Sequence, residues 1–210
     1  MKEVYLIPGL GADRRVFQYL NLSEHSISHI SWIEPLPNES IEQYAGRLTE
    51  QIKSPDPILI GVSFGGMIAV EIAKQIKANK IILISSARTQ HEIPLHFKLL
   101  GRTGIQNILP ASWWKRPNRL LYYFFGIQTV QERALLSEIL RDTDLRFLKW
   151  ALHQIVHWKN ELTPENGILI HGSADRLFPN SQADITIPGG GHFMIVNRAA
   201  EISAQLKQIL

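Results

Sequence analysis

Apolar positions along the chain fall into two alternating patterns. Short β-branched and aliphatic runs occupy residues 3–8, 27–33, 57–62, 80–85, 167–171 and 185–188, most of them nearly all apolar inside. Stretches with apolar residues every three or four positions separate several of them. Near-continuous aliphatic runs are what strands become when both faces of a sheet are covered, and the helix-period stretches supply the covering layers. The pattern predicts an α/β fold with a doubly wound, mainly parallel six-stranded sheet. Helices are expected over 41–53, 66–78 and 197–209, and Asp13 is placed to cap a short helix after the first strand.

Between about residues 88 and 163 the alternation stops. No run there reads as a strand, while helix-period patterns recur over 119–125, 130–141 and 145–159. The economical reading is one helical lid or cap insertion, 88–163, over one end of a core made of 1–87 and 164–210. Charge sets this segment apart. It carries 11 Lys or Arg against 6 Asp or Glu, a net of +5, whereas the rest carries 11 against 13, a net of −2. It also holds four of the five tryptophans: Trp113, Trp114, Trp150 and Trp158. Trp113, Trp114 and Trp150 are the candidate lining of a pocket for a largely apolar group. The run 113–125 mixes cations with aromatics and could rest on a membrane surface. A lid helix that buries its aromatics and solvates its charges is the simpler reading.

With 210 residues, the chain is long enough for one domain, or one domain with an insertion, without staples. It has no cysteine, which excludes a disulfide scaffold, a thiol nucleophile and a thiolate metal site. The formal net charge of +3 is too small to argue for nucleic acid. No apolar run approaches the roughly 20 residues of a spanning helix. Residues 1–9 lack the apolar stretch and cleavage site of a signal peptide. The expectation is a soluble, cytoplasmic protein acting on a small molecule, with no nucleic-acid partner and no stable membrane insertion.

Chemistry enters at residues 57–67, Pro-Ile-Leu-Ile-Gly-Val-Ser-Phe-Gly-Gly-Met. An aliphatic strand runs into Gly-x-Ser-x-Gly, and a helix pattern follows at once. That is the context of a nucleophile elbow, a strained turn that lifts a serine hydroxyl clear of the backbone. Strand and helix then approach so closely that small residues are required at Gly61 and Gly65. The alternative is an ordinary glycine-rich turn. A serine hydroxyl is a weak nucleophile and needs a base. Of the eight histidines, His192 is best placed, following the last strand and the run Gly189-Gly190-Gly191. Asp175, just past the end of the 167–171 strand, is the candidate acid, with a turn or cap role as its plainer alternative. Asp184 begins the next strand at the opposite end of the sheet.

Four pieces in order, Pro8-Gly9-Leu10-Gly11, Gly61-Val62-Ser63-Phe64-Gly65-Gly66, His171-Gly172-Ser173-Ala174-Asp175 and Gly191-His192-Phe193, resemble the α/β-hydrolase superfamily. The resemblance is to a compact form that lacks the N-terminal hairpin, with Pro8-Gly9 where members often have His-Gly. It implies a catalytic triad of Ser63, Asp175 and His192, and an oxyanion hole from the backbone N–H groups of Leu10 and Phe64. Only nine residues separate Asp175 from Ile185, so a helix there can be little more than a turn.

Two weaker signals are set aside. Residues 9–14 resemble a dinucleotide fingerprint, but Arg14 stands at its third glycine position. His153 and His157 have metal-ligand spacing without an evident third ligand. No cofactor and no metal are expected. The expected activity is hydrolysis of a carboxylic ester or thioester of a small to medium, largely apolar substrate through an acyl-enzyme. The same residues could serve acyl transfer or carbon–carbon cleavage, or the fold could carry a non-catalytic ligand-binding protein.

Overall fold

The computed structural model of the chain describes residues 2–95, 97–98, 117–179 and 182–210. Strands β1 (Glu3–Ile7), β2 (Ser26–His29), β3 (Ile58–Val62), β4 (Lys80–Ile84), β5 (Gly167–Gly172) and β6 (Ile185–Ile187) form one sheet. Its order is β2-β1-β3-β4-β5-β6, and every neighbouring pair is parallel. The expectation of a mainly parallel sheet thus becomes an all-parallel one. Register follows the aliphatic runs, with Tyr5 opposite Leu59, Leu59 opposite Ile81, and Leu83 opposite Leu169.

Because successive side chains alternate between faces, each run feeds two layers. Tyr5, Ile7, Leu59, Ile81, Leu83 and Leu169 enter one core, where they meet Tyr44, Leu48, Met67 and Ile68. Val4, Leu6, Ile60, Ile82, Ile84 and Ile170 enter the other, against Val16, Phe17, Ile202 and Leu206. Fully burying one such side chain contributes about 1.5–3 kcal/mol before entropy is counted.

The covering helices are α1 (Ile41–Leu48), α2 (Phe64–Ala73), α3 (Arg119–Phe125), α4 (Val130–Asp142), α5 (Leu145–His157), α6 (Met194–Asn197) and α7 (Ala199–Ile209). Local signals fix most of their starts. Ser40 and Gln43 form a reciprocal capping box on α1. Asn118, Thr129 and Asp144 each accept a backbone N–H at the starts of α3, α4 and α5. Asp13 caps a 3-10 turn, Arg14–Phe17, as expected. The expected helix over 197–209 is α7, which begins at Ala199; Arg198, at φ −125° and ψ 27°, separates it from the short α6 before it.

Among the described residues of 88–163 there is no strand, and α3, α4 and α5 match the three expected helices. They do more than cover one end of the sheet. Leu135, Leu136 and Ile139 of α4 join one core, whereas Phe147 and Ala151 of α5, with Trp158 beyond it, join the other. The crossover from β5 to β6 contains no helix among the described residues. Both faces of the sheet are therefore closed, and the C-terminal ends of β1, β3 and β5 and the turn after β6 carry the polar groups considered next.

Candidate active site

Ser63 follows β3 directly and precedes α2, at φ 52° and ψ −121°. A positive φ is uncommon for a residue with a side chain and marks a turn under strain. The turn is held from outside. The Ser63 N–H donates to Ile84 O at 2.9 Å, and Ser63 O accepts from Gly66 N at 2.9 Å and from the Ser86 hydroxyl at 2.6 Å. A Cβ on Gly61 would run into the backbone of Gly65 and Gly66. One on Gly65 would run into the carbonyl oxygens of Ile7 and Pro8. Strand and helix thus crowd Gly61, as the spacing predicts, while Gly65 is crowded by β1 and the residue after it.

His192 is buried, and its Nε2 lies 3.0 Å from Ser63 Oγ. Its Nδ1 lies 2.9 Å from Asp175 Oδ2. Facing a carboxylate, Nδ1 carries the proton, which leaves Nε2 free to accept from the serine hydroxyl. The structure therefore brings the three sequence-predicted residues into one hydrogen-bonded line. Asp175 begins a tight loop whose own backbone turns back on it: the Leu177 and Phe178 N–H groups donate to Oδ1 at 3.0 and 2.8 Å. Burial alone would favour the protonated acid. The charge of His192, hydrogen bonds from His171 and His192, and the Phe178 N–H outweigh it and hold the carboxyl well below the usual carboxylate range.

Beside Ser63 runs the turn Gly9–Ala12, closed by Ala12 N–H to Gly9 O at 3.0 Å, with Gly11 at φ 69°. Gly11, third in the turn, takes a positive φ that glycine adopts without strain. A Cβ on Gly9 would sit 3.5 Å from Ser63 Cβ, so Leu10 is carried past the serine at close range. Phe64 opens α2, and the first N–H groups of a helix have no partner within it. Phe64 thus follows Ser63 directly, and Leu10 follows the glycine that packs against it.

Sequence reasoning missed the groups that brace these loops. Phe125, at the end of α3, packs edge-on to the His192 ring with centroids 5.3 Å apart and accepts Phe193 N–H at 2.9 Å. Asn197 donates to Gly126 O and to Glu132, each at 3.2 Å. The Arg176 guanidinium stacks 4.2 Å over the Tyr123 ring. The Thr143 hydroxyl, between α4 and α5, lies 3.0 Å from Gly11 O. None has a sequence signal, because each contact joins distant parts of the chain. His171 is different: it stands in the same motif as Asp175, four residues before it.

Other expected positions lie elsewhere. Trp113 and Trp114 fall outside the described residues. Trp150 packs on Tyr44 at 4.4 Å and on Phe64 at 6.0 Å, and its Nε1–H donates to Glu39 O at 2.9 Å. Asp184 accepts Leu169 N–H through Oδ2 at 2.7 Å, and Asp144 caps α5. His153 and His157 stack with centroids 4.1 Å apart, and among the described residues no cluster of three or more possible metal ligands occurs. A cavity of about 790 Å³ opens beyond Pro8, between the Gly11–Arg15 turn and Phe147. Its rim is charged, with Arg15 bonded to Asp13 at 2.7 Å and Asp142 at 2.9 Å.

Residues 4–205 match the sequence profile of the Alpha/beta hydrolase family. The chain belongs to that family and is an α/β-hydrolase-type enzyme. A search of curated protein sequences finds no match. Solved structures share the fold at low identity. The bromoperoxidase from Bacillus anthracis is 16% identical with a TM-score of 0.71, over 99% of this chain and 91% of that one. A thermophilic esterase from Thermogutta terrifontis is 14% identical with a TM-score of 0.68, over 100% and 90%. Est816, described as an N-acyl homoserine lactone degrading enzyme, is 13% identical with a TM-score of 0.71, over 100% and 93%. Among the described residues no helix is long and apolar enough to cross a membrane.

Proposed function

We propose that the protein is a serine hydrolase that cleaves carboxylic esters or thioesters of small to medium, largely apolar substrates. The observation that carries this reading is the line from Ser63 Oγ to His192 Nε2 at 3.0 Å and from His192 Nδ1 to Asp175 Oδ2 at 2.9 Å. His192 accepts the Ser63 proton as Oγ attacks the carbonyl carbon. The tetrahedral oxyanion then takes hydrogen bonds from the Leu10 and Phe64 N–H groups, each such donor being worth on the order of 3 kcal/mol of barrier. His192 passes the proton to the leaving alcohol or thiol, and an acyl-Ser63 remains. Water, deprotonated by His192, releases the acid by the same route. Asp175 stays ionised and holds the imidazole in the right tautomer.

Residues 88–163 form the lid of this enzyme, over a core of 1–87 and 164–210. The fold's occurrence in an esterase and a lactone-degrading enzyme supports the substrate class. The test is covalent labelling. An activated alkyl phosphonate should add one equivalent per chain, peptide mapping should find it on Ser63, and Ser63→Ala should abolish both labelling and ester hydrolysis. Stoichiometric labelling elsewhere, or full hydrolysis by Ser63→Ala, would sink the mechanism.

A further inference from the structure

Asp175 has a fourth partner that the reaction above leaves unused. His171, the fifth residue of β5, is buried, with 1% of its surface exposed. Its Nε2 lies 2.6 Å from Phe178 O and 3.2 Å from Asp175 Oδ2. Both neighbours are acceptors, so Nε2 carries the proton and donates it to Phe178 O, with Asp175 Oδ2 close beside it. Nδ1 is buried and has no hydrogen-bond partner among the described residues, which agrees with a ring whose proton sits on Nε2.

The arrangement surrounds the carboxylate. Oδ1 takes the Leu177 and Phe178 N–H groups, and Oδ2 takes His192. A carboxylate offers about four lone-pair sites; three have donors here, and the polar His171 Nε2–H lies beside the fourth. The two backbone donors fix only one oxygen, and the carboxylate could still pivot about its bond to Cβ. His171 opposes that pivot at the very oxygen that faces His192. Its hydrogen bond to Phe178 O clamps the loop that supplies the donors to Oδ1. Any rotation of Asp175 therefore breaks bonds at both oxygens at once.

We infer that His171 is a positioning residue of the active site: its Nε2–H, bonded to Phe178 O and 3.2 Å from Asp175 Oδ2, steadies the loop and the carboxylate that orient His192. The inference rests on the serine-hydrolase reading for its catalytic consequence, while the hydrogen bond itself stands on geometry. Outer-shell partners of this kind change activity by about tenfold or more when removed, and complete misorientation of a base costs up to ~10⁴-fold.

The test compares two polar replacements. In His171→Gln the amide nitrogen reaches about as far as Nε2 and can serve both acceptors. In His171→Asn it reaches only about as far as Nδ1, which frees Phe178 O and leaves Oδ2 to His192 alone. On an aryl ester, Gln should keep kcat within about threefold of wild type and Asn should lower it about tenfold or more, with KM within about twofold for both. The proton NMR signal of the His192 Nδ1–H, far downfield of the amides and absent in His192→Ala, should persist in Gln and broaden or vanish in Asn. Equal kcat values and equal signals for the two variants would reduce His171 to a packing residue. A long-range proton–nitrogen spectrum of the wild-type protein needs no folded variant. It should find His171 protonated at Nε2 and bare at Nδ1, and the opposite tautomer would overturn the inference. If Ser63→Ala hydrolyses esters while the His171 spectrum is as stated, the mechanism fails and the hydrogen bond survives.

Discussion

Ser63 holds a backbone conformation that a glycine would adopt without strain, so the site stores conformational energy where the proposed nucleophile stands. Removing the hydroxyl alone should leave that strain in place. Ser63→Gly is therefore expected to be about 1 kcal/mol more stable than Ser63→Ala, with both inactive. Urea unfolding of the two variants checks this, and equal stabilities would mean that the turn costs nothing. Asp175 gives a second prediction. Its folded pKa lies below the unfolded carboxylate value of about 3.9, so ionised Asp175 stabilises the fold above that pH. The stabilisation fades as pH falls toward the folded titration. Wild type should exceed Asp175→Asn in stability at pH 7, and the gap should narrow by pH 3. Unfolding midpoints at pH 3, 5 and 7 measure it, and a constant gap would refute the linkage. Ser63, Asp175 and His192 were legible because each ends a recognisable strand in a short motif. His171 was legible only as a letter of that motif, since nothing in the spacing says that its ring turns toward a carboxylate.

Strands and helices were readable in kind and less so in length. The run over 27–33 predicts a long second strand, yet β2 stops at His29. Its neighbour β1 ends at Ile7, so the next residues find other partners: Trp32 Nε1–H donates to Ala12 O at 3.0 Å, and the Tyr44 hydroxyl spans Ile33 N–H and O. These side chains begin an aromatic cluster, with Trp32 against Phe147 at 5.1 Å and Trp150 against Tyr44 at 4.4 Å. The cluster joins α5 to α1 and to Phe64. Hydrophobic periodicity marked Trp150 as an apolar helix position and could not say whether substrate or protein would cover it. Its contacts here are protein. Trp150→Ala should cost about 2 kcal/mol of stability, less than a fully buried tryptophan because the ring is half-exposed. Its preference among acyl-chain lengths should stay as in wild type. A change in chain preference with unchanged melting temperature would return Trp150 to the pocket.

For the whole molecule, parallel pairing and the two-layer core followed from the aliphatic runs, because strands that are apolar on both faces call for cover on both, whereas the strand order is seen only in the structure. The bracing of the site did not follow, because it is made between distant segments: α3 against the His192 loop, Tyr123 against Arg176, Thr143 against the Gly9–Ala12 turn. Asn197 locks the first of these. Replacing it with Ala removes donors to Gly126 O and to buried Glu132, and should cost about 1–2 kcal/mol. It should also lower kcat severalfold by loosening His192, with KM little changed. Steady-state kinetics beside thermal melts check this, and a melt shift with wild-type kcat would confine the lock to folding. The close approach of Gly61 to α2 and of Gly65 to the end of β1 has a consequence for how such sequences are inherited and searched. The two glycines answer to steric overlap with β1, β3 and α2, while the serine between them answers to chemistry. A descendant that lost the hydroxyl would still need both glycines to fold. A search keyed to the spacing would then retrieve catalysts and their silent cousins alike, and only the letter between the glycines, read together with its histidine and aspartate, would tell them apart.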